Sequence, residues 1–195
     1  MWSSEVTNMI ITGIWETLYM TLVSTLVGYV IGLPMGIILT VSDKDGIKPN
    51  AVLYKILDVI ANIVRSVPFI ILLVLLIPFT RLVVGKSYGS TATIVPLVIA
   101  AAPYIARMVE SSLKEVDAGV IEAARSMGAS NFTIITKVML VEARTSLLVG
   151  ATITLGTILG YSAMSGAVGG GGLGAIAIRY GYTSCLLYTS DAADE

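Results

Sequence analysis

Two glycine patterns and one short charged segment hold the residue types best suited to binding chemistry in this sequence. Gly85-Lys86-Ser87 ends as a phosphate-binding loop ends, but that pattern needs a glycine five residues before Gly85, where Thr80 stands. Gly169, Gly171 and Gly174 satisfy G-x-G-x-x-G, yet no strand pattern precedes them and no crossover unit surrounds them. A tight non-helical turn is the better reading of that cluster. Histidine is absent and Cys185 is the only cysteine. That removes a Cys/His metal site, a disulfide framework and the commonest general base. No catalytic residue, metal ligand or cofactor site is expected. The third segment, "EAARSMGA" beginning at Glu122, is different, because charge returns there to a chain that is otherwise largely apolar.

The elements around it are set by composition. Of 195 residues, 55% are hydrophobic and 13% charged, against about 25% charged in soluble domains, and mean hydropathy is +0.87. So few polar groups cannot cover a water-facing surface, and a lipid bilayer is the expected solvent. A net charge of −1 leaves no basic excess for a nucleic-acid partner. Glu5 and Glu16 occupy the start with no basic stretch before the apolar run, so no cleavable signal peptide is expected. A crossing helix needs about 20 apolar residues. Stretches 17–42, about 59–84, about 88–106 and about 146–165 meet that length. In the second, Arg65 and Arg81 sit where they can snorkel to the interfaces.

Basic residues orient the spans. The first 43 residues hold no Lys or Arg, whereas Lys44, Lys48 and Lys55 follow span one, and Arg107, Lys114, Arg125, Lys137 and Arg144 follow span three. An outside amino terminus puts both loops in the cytoplasm. Gly85-Lys86-Ser87 then falls on the outer side, away from ATP, and the Asn131-Phe132-Thr133 triplet has no glycosylation meaning. Gly28, Gly32 and Gly36 recur every four residues on one face of span one, which suits close approach of another helix.

The stretch 117–143 reads as helix, break, helix. Asp117 can cap the first helix, Ala123 and Ala124 favour helix and give a narrow surface, and Gly128 fits the left-handed position after the last turn. Ser130 can cap a second helix whose Ile134, Ile135, Val138 and Met139 form an apolar stripe. A plain connecting hairpin would have this form, and so would a rigid docking element beneath the membrane.

The order Glu122-Ala123-Ala124, then Gly128, Val138 and Leu140, resembles the cytoplasmic signature loop of bacterial ABC-importer permeases. The stretches "GIWETLYMTLVSTLVGYVIGLPMGI", "RSVPFIILL", "PFTRLVVG", "AAPYIARMVE" and "GYSAMSGAVGGGGLG" narrow the likeness to the methionine-import branch of that family. The resemblance implies an all-α polytopic membrane bundle, with a coupling loop over 107–145 inside a permease domain over 1–182. It assigns Glu122, Ala123, Ala124, Gly128 and Leu140 to the contact with an ATP-hydrolysing subunit. It also implies a bacterial inner-membrane protein that pairs with a second permease copy, two ATPase subunits and an extracytoplasmic binding protein delivering methionine. Val138 replaces a usual isoleucine, and Val141 stands where the family has proline, which alters the turn after Leu140.

Tyr161, Ser162 and Met164 end span four, with one large flexible side chain among small ones. Given the implied two-fold pair, Met164 is a candidate apolar plug of the passage. The family has a fifth membrane helix after the glycine-rich turn, whereas "TSCLLYTSDAADE" is too short to span. Residues 183–195 are therefore expected to be a non-family tail from a truncated or misjoined end. The competing function is a stand-alone secondary transporter or channel. Coupled carriers usually place ionisable groups inside their spans, and no acidic residue is expected mid-span here.

Overall fold

The computed structural model describes residues 4–183, and every regular element among them is helical. Residues 184–195, with Cys185 and all but the first residue of the expected tail, lie outside the described residues.

Helix α1 (Ser4–Ser42) has 39 residues, about 58 Å at the usual rise, so it extends well before the expected first span. Its buried side carries Gly13, Thr17, Met20, Ser24, Gly28, Gly32 and Gly36, three or four residues apart, as one helix face requires. Thr17 and Thr40 donate to the carbonyls of Gly13 and Gly36, which hides their hydroxyl protons within the helix. Helix α2 (Ala51–Ser66) starts at Asn50, whose side chain accepts the Leu53 N–H. Helices α3 (Phe69–Leu75) and α4 (Ile77–Val84) follow, then α5 (Ser90–Lys114) and α6 (Ala118–Ser126). Helix α7 (Asn131–Thr133) runs through a π-helical stretch, Ile134–Met139, into α8 (Leu140–Glu142). Helix α9 (Arg144–Ser165), a 3-10 turn Gly166–Val168, α10 (Gly172–Ile176) and a π-helical stretch Ala177–Thr183 complete the order.

Three helical stretches among the described residues are long and apolar enough to cross a membrane: Ser4–Ser42, Ser90–Lys114 and Arg144–Val168. The second expected span departs from a single helix. Helices α2 and α3 meet at a 102° bend and qualify only as a broken pair, with α4 beyond them. The cause is Pro68, which disfavours helical backbone in the residue before it. Val67 is accordingly extended at φ −83°, ψ 124°.

The chain divides into two compact units that are not successive domains. One takes residues 4–25, 68–98 and 156–183, the other 26–67 and 99–155. In the first unit, Phe69 stacks on Tyr161 at 4.5 Å between ring centroids. There the glycine-rich turn is tied to its neighbours: the Gly89 N–H donates to the Gly169 carbonyl (2.8 Å) and Thr93 Oγ1 to that of Gly170 (3.3 Å). In the second unit, α1 lies directly against α5. A Cβ at Gly32 would sit 2.6 Å from the Ala102 carbonyl oxygen, and one at Gly36 would sit 2.6 Å from that of Ala106.

Candidate functional site

Helix α6 is bounded at both ends by local backbone chemistry. The Asp117 carboxylate accepts the Gly119 N–H at 2.7 Å, satisfying a first-turn donor that the helix cannot. At the other end Gly128 adopts φ +79°, the Gly128 N–H donates to the Arg125 carbonyl, and the Ala129 N–H donates to that of Ala124. This pair of bonds is the Schellman stop, and the left-handed backbone it needs costs glycine nothing. Ser130 then caps α7, accepting the Thr133 N–H at 3.3 Å. Two caps and one glycine fix where α6 starts, stops and turns.

On α6, Ala124 is buried while Glu122 and Ala123 are exposed. Gly128 is exposed, with open space where a Cβ would stand. Leu140 begins α8 and is half-buried. Val141, at the family's proline position, is exposed and lies within α8, so the chain there is helical rather than turned. Glu122 and Arg125 line an open cleft of about 420 Å³, with Asp43, Asp45 and Lys114 on its other walls. The Arg125 guanidinium also donates to the Ile47 carbonyl at 3.2 Å, tying α6 to the loop after α1.

The last two turns of α5 carry a cluster of paired charges. Arg107, Glu110 and Lys114, spaced three and four apart, share one helix face. Arg107 pairs with Asp58 of α2 and reaches Glu110 at 2.7 Å. Lys114 reaches Glu110 at 2.8 Å and Asp43 at 2.6 Å. Tyr54 donates a further bond to Glu110 at 3.3 Å. The Glu110 side chain is only 6% exposed, and a carboxylate so withdrawn from water is stable as an ion only with partners like these. The Lys114 ammonium hydrogen-bonds to Asp43 and holds its carboxyl below the ordinary 3.8. Sequence reasoning did not single out this cluster. The spacing of 107, 110 and 114 was the available signal; the pairing with Asp58 and Asp43 had none.

In the other unit, Tyr161 is half-buried against Phe69, Ser162 is buried with its hydroxyl donated to the Leu159 carbonyl, and Met164 is 51% exposed. The structure thus leaves Met164 free of the packing that holds Tyr161 and Ser162. Glu16, another residue sequence reasoning passed over, accepts the Gly172 N–H at 2.6 Å, and Thr17 Oγ1 accepts that of Leu173 at 2.9 Å. Together they close the amino end of α10. Among the described residues, no group of three or more His, Cys, Asp or Glu side chains is arranged to hold a metal ion.

This arrangement, long apolar helices carrying a rigid capped helix between α5 and α9, has close relatives. The model of the binding-protein-dependent transport system inner membrane component family matches residues 28–184. The chain belongs to that family. It is 49% identical over 181 residues to the probable D-methionine transport system permease protein MetI of Vibrio cholerae, covering 93% of this chain and 80% of the relative. It is 56% identical over 158 residues to the D-methionine transport system permease protein MetI of Escherichia coli K12, covering 81% and 73%. Among solved structures, a chain of the inward-facing MetNI methionine ABC transporter superposes with a TM-score of 0.92 at 54% identity, covering 93% of this chain and 84% of that one. The protein is thus the permease of an ABC importer, a multi-pass protein of the inner membrane. The all-α membrane bundle expected of the family member is the observed fold. A stand-alone carrier is set aside by the same findings.

Proposed function

We propose that this permease imports methionine as a non-catalytic subunit, pairing with a second copy to form the passage and relying on two separate ATPase subunits for energy. An extracytoplasmic binding protein delivers the substrate. The observation that carries the reading is the likeness, over most of the chain, to permeases named for D-methionine transport. The permease domain is taken to run over 1–182, with its coupling loop over 107–145 and its amino terminus outside. In this reading α6 seats in the ATPase, with Glu122 as a charged contact, Ala123 and Ala124 allowing close approach, Gly128 setting the exit, and Leu140 supporting the following helix. Gly28, Gly32 and Gly36 hold α1 to α5, while Tyr161, Ser162 and Met164 form the gate.

The test is ATP-dependent uptake of labelled methionine by vesicles holding the permease with its ATPase and binding protein. Gly128→Val should insert normally and cut uptake about tenfold. A Cβ there meets nothing, so the defect must come from the backbone, where a left-handed residue other than glycine costs about 1–2 kcal/mol. Normal uptake by a well-expressed Gly128→Val protein would overturn the docking assignment.

A further inference from the structure

We infer that the alternating ion chain Asp58–Arg107–Glu110–Lys114–Asp43, continued by the Arg125–Ile47 hydrogen bond, is the mechanical link between the docking helix α6 and the membrane helices. The inference rests on the reading of α6 as the element that seats in the ATPase.

The connections form one unbroken path within a single compact unit. Arg125 of α6 holds the loop after α1 at the Ile47 carbonyl. That loop is stiff. The Gly46 N–H donates to the Asp43 carbonyl, the Lys48 N–H to that of Val41 and the Asn50 N–H to that of Ser42. At its start, Asp43 is held by Lys114 of α5 at 2.6 Å. Lys114 and Arg107 then clasp the two oxygens of Glu110 from opposite sides, at 2.8 and 2.7 Å. Arg107 passes the link to α2, where it meets Asp58 and also Asn62 Oδ1 at 3.0 Å. Asn62 in turn donates to Asp58 at 3.1 Å, fixing the acceptor.

Charge sequence is what makes this a link. The order is minus, plus, minus, plus, minus, so every interior member has an opposite charge on each side. Displacing one member leaves its neighbour a charge withdrawn from water and unpaired, which is strongly opposed at the Glu110 centre. A shift of α6 is therefore carried to the loop, to α5 and to α2 rather than absorbed. Simple anchoring of α5 would need only one of these pairs. The continuity from α6 to α2 is what anchoring leaves unexplained, and coupling is carried by just such contiguous networks.

The experiment uses the full permease assembled with its ATPase and binding protein, and reads methionine imported per ATP hydrolysed. Glu110→Gln keeps the shape but removes the central charge, and Arg125→Met cuts the exposed end. Each should lower import per ATP about fivefold or more, the lower range for allosteric coupling, while hydrolysis continues. Arg125→Lys, which keeps a donor within reach of Ile47, should recover most of the ratio. A purely structural role would lower assembly, hydrolysis and import together at an unchanged ratio, and that result overturns the inference. Should Glu110→Gln fail to assemble, Arg125→Met decides alone, because its side chain lies at the surface. Gly128→Val in parallel separates the two readings. If it transports normally, the docking assignment fails. If it is defective while both network variants keep a normal ratio, only the ion chain fails.

Discussion

At the scale of single residues, Asp43 shows how a partner across the fold sets a titration. Its carboxyl lies below the ordinary 3.8, chiefly through the Lys114 hydrogen bond and against the opposing effect of burial. A carboxylate depressed in this way stabilises the folded state above its ordinary pKa. That contribution is lost as pH falls through the depressed folded value. Asp43→Asn should therefore be slightly less stable than the parent at neutral pH, and the two stability curves should converge on acidification below about 3.8. The gap stays modest because the Lys114 side chain is 42% exposed, where water and salt screen the pair. Thermal denaturation of both proteins in detergent across acid pH checks this. A gap that does not narrow in acid would show that the Asp43 charge contributes nothing to the fold. Gly128 acts at the same scale by other means, since its role lies in φ rather than in any contact.

At the scale of elements, the helices are placed by what stops them and by how closely they meet. Pro68 breaks what would otherwise be one span, and Asp117, Gly128 and Ser130 divide the stretch before α9 into separate helices. The α1–α5 contact depends on absent side chains. A Cβ at Gly32 would meet the Ala102 carbonyl at 2.6 Å and Ile105 Cβ at 2.8 Å. The first of these is backbone, so it cannot swing aside. Gly32→Val must push the helices apart, at a cost of about 1–3 kcal/mol typical of overpacking. The expected readout is a lower melting temperature in detergent, with helical content unchanged. Equal stability of parent and variant would mean that this contact is looser than its geometry requires.

For the whole molecule, the proposed pairing of two permeases places a demand on Met164. It is half exposed within one chain, while Tyr161 beside it is stacked on Phe69. Where a two-fold axis passes the end of α9, both copies of Met164 face one another across the passage. Met164→Cys in a background carrying Cys185→Ser should crosslink between protomers in the resting state. No crosslink at 164, with one formed at other positions of the same helix, would move the gate elsewhere. The sequence by itself determined the solvent, the apolar stretches, the caps of α6 and α7 and the glycine stop at 128. Each of these depends on composition or on backbone donors within about four residues. It also carried the family, because the signature motif beginning at Glu122 is a local order of residues. Tertiary structure alone decided that Arg107 meets Asp58, that Asp43 meets Lys114, and that Glu16 closes α10 from 156 residues away. Those partners are chosen by which helices pack side by side, and a charge or carboxylate has many chemically equal candidates until packing leaves only a few within reach.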